Sequence, residues 1–110
     1  MDRKDKPKVI QSYEKLSKEL REQIKLVYPE GYIQHLIEFT NAKGELVSAL
    51  PFETDEKVYL IKMSDIKAQE IIELDDDYED GSLKKSVREK YEDEYSDVDY
   101  LSENENYNEE

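Results

Sequence analysis

The charge of this chain is piled into its last third. Of 29 acidic residues, 15 lie between Asp75 and Glu110, against 4 of the 16 basic ones (Lys84, Lys85, Arg88, Lys90); the segment therefore carries −11 of the net −13, and residues 1–74 carry −2. So dense an acidic run repels itself, holds few large aliphatic residues to bury, and attracts cationic surfaces. Composition thus divides the chain into a nearly neutral head and a polyanionic tail over 75–110. With the tail set aside, about 70 residues remain to fold, near the lower limit for one hydrophobic core without staples.

The absence of cysteine excludes disulfides, thiolate metal sites and cysteine nucleophiles, and fits a reducing compartment. The opening MDRKDKPK leads into two apolar residues, Val9 and Ile10, before polar residues resume. No secretory signal is expected from it, and no run of roughly 18 apolar residues appears anywhere, so the cytoplasm is the expected location and no membrane contact is expected.

The pattern predicts a flexible N-terminal arm over 1–7, ending in Pro7, and a short strand at Lys8–Tyr13. A helix over Lys18–Tyr28 follows, capped by the Ser17 hydroxyl and stopped by Pro29 and Gly31. Ile33, His35, Ile37 and Phe39 alternate with Gln34, Leu36 and Glu38, Asn41 to Gly44 form a turn, and Leu46, Ser48, Leu50 and Phe52 alternate on the way back, which is a hairpin. A turn at Glu53–Glu56 leads to a strand at Lys57–Met63. Ser64 then caps a helix carrying Ile66, Ala68, Ile71 and Ile72 to about Leu74. The head, residues 8–74, is expected to be a small α+β domain: an antiparallel sheet in the order β-α-β-β-β-α with two short helices on one face.

The acidic tail is expected to be largely disordered, so that a chain ending near Leu74 should still unfold cooperatively. Within it Leu83, Val87, Tyr91 and either Glu94 or Tyr95 recur at helical spacing behind Ser82, marking a marginal helix over 82–95 that forms when its apolar stripe finds a partner. Five of the nine tyrosines (Tyr78, Tyr91, Tyr95, Tyr100, Tyr107) lie here. Rings among carboxylates can stack on arginine while the acids supply long-range attraction. The candidate partner-binding residues are accordingly Asp75, Asp76, Asp77, Tyr78, Glu79, Asp80, Leu83, Val87, Tyr91 and Tyr95, and the partner they imply is a basic protein surface. Direct nucleic-acid binding is disfavoured, because phosphate would enter a field of like charge.

No constellation points to catalysis or a cofactor. Counting a calcium loop from Asp76 puts Gly81 sixth but Tyr78 third and Val87 twelfth, where a bidentate Glu belongs. His35, the single histidine, sits on the apolar face of the first hairpin strand and reads as a partly buried core residue rather than a metal ligand. The three glycines are too far apart to cradle a phosphate. The abundant carboxylates lie mostly where water keeps them ordinary. The expected protein is not an enzyme and has no metal site.

The stretches KVIQSYEKLS, YPEGY at Tyr28–Tyr32, IEFTNAKGELVSAL at Ile37–Leu50 and KVYLIKMS at Lys57–Ser64 resemble a group of short bacterial proteins with a compact head and an Asp/Glu-rich tail, some of them labelled DNA primase. The resemblance covers about residues 8–74 and includes no catalytic signature: there is neither a zinc-ribbon cysteine set nor a metal-binding aspartate constellation in the head. In layout alone the chain is similar to the delta subunit of bacterial RNA polymerase. The expected function is that of a non-enzymatic accessory protein, its head docked on a nucleic-acid-handling machine such as RNA polymerase and its tail competing for a basic surface. The alternatives are a free-standing nucleic-acid mimic or antitoxin-like inhibitor, and a solubilising structural protein.

The hairpin gives a direct test. Replacing Gly44 with Val puts a β-branched side chain where positive φ is expected and should cost about 1–2 kcal/mol, read as a lowered melting temperature. An unchanged melting temperature would mean that the turn is of another type.

Overall fold

The computed structural model describes residues 6–104, 106 and 107. Five strands and two helices make up the head and its continuation: β1 (Lys8–Ser12), α1 (Lys18–Val27), β2 (Ile37–Thr40), β3 (Leu46–Glu53), β4 (Val58–Lys62), α2 (Asp65–Leu74) and β5 (Tyr78–Glu79). β6 (Ser82–Leu83), α3 (Lys85–Glu94) and a 3-10 turn at Asp99–Glu103 follow. The fold is α+β. Among the described residues no helix is long and apolar enough to cross a membrane.

Local signals produce the local elements. Ser17 and Ser64 cap α1 and α2, each hydroxyl accepting from the backbone N–H three residues on, Leu20 and Lys67, at 3.1 Å. The β2–β3 connection is a tight turn closed by Gly44 at φ 81, with Gly44 N–H donating to Asn41 O (3.0 Å) and Asn41 N–H to Glu45 O (2.9 Å). The Asn41 Oδ1 accepts from the backbone of Lys43 and Glu45 and fixes the turn.

The sheet corrects the expected topology. Its order is β1-β4-β3-β2, with β2, β3 and β4 antiparallel but β1 parallel to β4, so it is mixed rather than antiparallel. β2–β3 and β3–β4 are joined by tight turns, which impose antiparallel pairing. β1 reaches the sheet through α1, and nothing local sets its direction. The hairpin is also shorter than expected: Ile33–His35 is a 3-10 turn and the strand begins at Ile37.

Leu50, Phe52, Tyr59 and Ile61 point from one sheet face into a core shared with Leu16, Ile24, Leu26, Val27, Tyr28, Tyr32 and Ala68. The same core holds Tyr91, Tyr95 and Leu101. The expectation of a largely disordered tail is therefore not met across its described part; residues 105 and 108–110 lie outside the described residues. The marginal helix expected over 82–95 is α3 over Lys85–Glu94, and Ser82 is not its cap but a β6 residue whose hydroxyl donates to Glu30 Oε1 (2.7 Å). Of the expected N-terminal arm, residues 1–5 lie outside the described residues. Lys6 is bonded to Glu53 (2.9 Å) and Thr54 O (2.7 Å), and Pro7 O accepts from Val58 N–H.

The consequence for α1 is unusual. Six successive residues, Glu22 to Val27, are buried, so the second half of this amphipathic helix has no solvent face. The sheet covers its apolar side, and α3 with the chain after Leu74 covers its polar side. Burying Tyr78, Leu83, Tyr91, Tyr95 and Leu101 at roughly 1.5–3 kcal/mol each gives a gross term on the order of 10 kcal/mol, comparable to the whole net stability of a small domain. A chain ending at Leu74 is thus expected to lose the cooperative thermal transition of the full chain, measured by calorimetry. A truncated chain melting cooperatively at the full-length temperature would contradict this packing.

Candidate functional site

The segment after Leu74 is held by polar groups aimed at α1. Asp75-X-Asp77 is a turn in which Asp75 Oδ1 accepts from Asp77 N–H (2.9 Å), and it points both carboxylates at Lys25, whose Nζ lies 2.8 Å from Asp75 Oδ2 and 2.7 Å from Asp77 Oδ2. The Tyr91 hydroxyl donates to the same Asp77 oxygen at 2.8 Å. One turn earlier on α1, Glu22 Oε1 accepts from the Tyr95 hydroxyl at 2.6 Å, and Gln23 Oε1 accepts from that of Tyr100. Beyond the helix, Tyr78 donates to Tyr28 O (2.9 Å) and Asn106 Nδ2 to Val27 O (2.8 Å).

The hairpin β5–β6 positions this array. Its two-residue turn is Asp80-Gly81, with φ of 54 and 86, the conformation in which strand twist matches the turn. Leu83 N–H donates to Pro29 O (2.7 Å), tying the hairpin to the segment that ends α1. Asp-Gly is a sequence signal for this turn, obscured when Asp75 to Asp80 is counted as a charge run.

The electrostatics follow from burial and pairing. Burial works against the charged forms of both Lys25 and Asp77, yet the opposing effects are larger. Hydrogen bonds to Asp75 and Asp77 carry Lys25 above its ordinary 10.5, and hydrogen bonds from Lys25 and Tyr91 carry Asp77 below its ordinary 3.8. Burial and a carboxylate acceptor push the Tyr91 and Tyr95 hydroxyls well above 10.0. Lys25 is thereby a buried cation neutralised from within the chain.

Of the ten candidate residues, Asp76, Glu79 and Asp80 are exposed. Asp75 and Asp77 face Lys25, Tyr78, Leu83, Tyr91 and Tyr95 are buried, and Val87 packs against the core half-buried. The rings expected to anchor a partner are spent inside the fold. Carboxylates outside that set also face solvent: Glu89, Asp93, Glu94, Asp97 and Asp99, which with Asp76, Glu79 and Asp80 enter no ion pair among the described residues. Glu92 is paired with Arg88 at 3.1 Å.

Two clefts accompany this flank. One of about 510 Å³ lies over the Lys25 array and is lined by Tyr13, Glu14, Arg21, Lys25, Asp75 and Asp76. The other, about 430 Å³, opens where β2 stops, beside Tyr28, His35, Pro51, Glu53 and Asn104. There His35 lies not on a strand but in the 3-10 turn, half-buried against the Tyr28 ring at 5.1 Å between centroids, and burial lowers its pKa from 6.5. Among the described residues no group of three or more His, Cys, Asp or Glu side chains is placed to hold a metal ion. Compared with protein-family models, characterised proteins and solved structures, the chain gives no match.

The lysine array generates a pH test. Asp77, depressed below 3.8, contributes stability that is present above that value and lost as pH falls through the folded-state pKa. Lys25, raised above 10.5, contributes stability that is present below that value and lost as pH rises through its folded-state pKa. Lys25→Met leaves two partly buried carboxylates without a cation and should destabilise by about 3 kcal/mol near neutrality. The stability gap between wild type and Asp77→Asn, from urea titrations, should shrink as pH drops below 3.8. A gap that does not shrink as pH falls would show that the charge of Asp77 is not what stabilises the fold.

Proposed function

We propose that this protein is a non-enzymatic interaction protein whose folded acidic flank engages a basic protein surface of the kind that otherwise holds nucleic acid. The observation that carries the reading is the charge arrangement of α3. Lys84 and Lys85 sit at its N-terminus, where the helix dipole is positive, and Asp93 and Glu94 in its last turn, where it is negative. Each misplaced charge costs about 0.3–1 kcal/mol in helix stability. Charges kept where they weaken their own helix are expected at sites selected for contact rather than for folding.

Exposed carboxylates fixed on a hairpin and a helix engage a partner differently from a flexible tail. Their backbone spacing is set before binding, so less ordering entropy is lost on contact than by a flexible tail, and like-charged ligands are excluded while cationic surfaces are steered in. This favours a preformed nucleic-acid mimic or inhibitor over a tail that competes while the head docks elsewhere. RNA polymerase remains the first surface to test, since nucleic-acid channels are large and basic.

The experiment is competition between the full chain and a labelled oligonucleotide for purified RNA polymerase across a salt series. Displacement is expected to weaken steeply with salt, exposed charges being screened over about 8 Å at physiological ionic strength. Changing Glu79, Asp80, Asp93 and Asp97 to Gln or Asn should reduce displacement with the melting temperature unchanged or raised. No displacement at low salt, or equal displacement by the neutralised variant, would refute the reading for this partner.

A further inference from the structure

We propose that the free edge of β2 is a second binding site, and that it takes an extended cationic segment of the partner as an added strand. The two edges of the sheet's second half are treated differently. Past Ala49, where β2 ends, β3 would expose its backbone, but there Tyr28 Oη donates to Pro51 O, and the Asn104 amide takes both groups of Glu53, accepting from its N–H (2.8 Å) and donating to its C=O (3.0 Å). Pro51 itself has no N–H to satisfy. Beyond its pairing with β2, β3 is thus closed by side chains in place of a strand.

β2 has no such cover. Asn41 N–H bonds to Glu45 O, and counting back from that pair along the antiparallel register, Phe39 and Ile37 turn their backbone groups to Val47 and Ala49. The N–H and C=O of Glu38 and of Thr40 therefore face outward, with no hydrogen bond among the described residues. Of the devices that ordinarily guard a free edge, Ile37–Thr40 carries no lysine, proline or bulge; it is short and its one charge is the anionic Glu38, which leaves the edge open to a cationic strand.

The occupant is identified by chemistry on both sides of the edge. On one side of the sheet plane stands the exposed Glu38 carboxylate; on the other, away from the core, stand Ile37, 42% exposed, and Phe39 beside Val47. A strand added here alternates a basic residue opposite Glu38 with apolar residues beside Ile37 and Phe39. A second copy fits less well, since antiparallel pairing of two β2 edges sets both Glu38 carboxylates on one face with no cation between them. The inference rests on the proposed function only in taking the partner to be basic.

The test uses the full chain, 15N-labelled, with a capped six-residue peptide alternating valine and lysine. Saturating peptide should slow amide exchange at Glu38 and Thr40 by about tenfold or more. Thr40→Pro removes an outward N–H without breaking the hairpin ladder and should weaken binding about tenfold at unchanged salt slope. Glu38→Lys, which leaves the backbone intact should Thr40→Pro fail to fold, should lose the lysine peptide and gain a valine–glutamate one. Peptide shifts confined to Asp93–Asp99, with exchange at Glu38 and Thr40 unchanged, would overturn the site. Protection of those amides that rises with protein concentration in the absence of peptide would overturn the occupant in favour of a second copy. Neither result bears on oligonucleotide competition, which depends on carboxylates of the hairpin and α3.

Discussion

The ammonium of Lys25 lies within 2.8 Å of two carboxylates that are 50 and 52 residues away in sequence. A lysine buried to this extent in the last turn of a helix is not tolerated alone, since removing its charge from water costs several kcal/mol. The head by itself would have to expose α1 along this face. Asp75 and Asp77 make its burial possible, Tyr91 donates to the Asp77 oxygen that Lys25 also holds, and the same logic repeats at Glu22 with Tyr95 and at Gln23 with Tyr100. The acidic segment is in effect an internal ligand for the polar side of one helix.

Fixing that segment settles where charge remains available. The carboxylates nearest the head are consumed by Lys25, and those on the β5–β6 turn and the far end of α3 stay in water. Folding thus sorts one acidic run into a structural set and a solvent-facing set. The same chain also closes the vulnerable part of β3, because Asn104 reaches Glu53 only when the final 3-10 turn is docked through Leu101.

What was legible in the sequence was local. Ser17, Ser64 and the Asn41–Gly44 turn announce themselves because a hydroxyl before an apolar period and a glycine after a turn act within a few residues. The parallel direction of β1 was not legible, since it depends on packing across a long connection. The tail was misread for a chemical reason. Its scarcity of leucine, isoleucine and valine argues for disorder, but a tyrosine buries a ring and still bonds a carboxylate or amide through its hydroxyl. Tyr91, Tyr95 and Tyr100 can therefore pack on a polar helix face that leucine would leave unsatisfied. Asp80-Gly81 was a readable hairpin signal. Asn104 gives none, because its role is set by a strand edge 51 residues away.

Native-state amide hydrogen exchange addresses the internal-ligand account most directly, since it reports each segment separately in the intact chain. The amides of Leu83, Lys84 and Tyr95, which donate to Pro29, Asp77 and Tyr91, should exchange with the same opening free energy as those of α1 and β4. Exchange of these amides at unstructured-chain rates while α1 and β4 remain protected would contradict it.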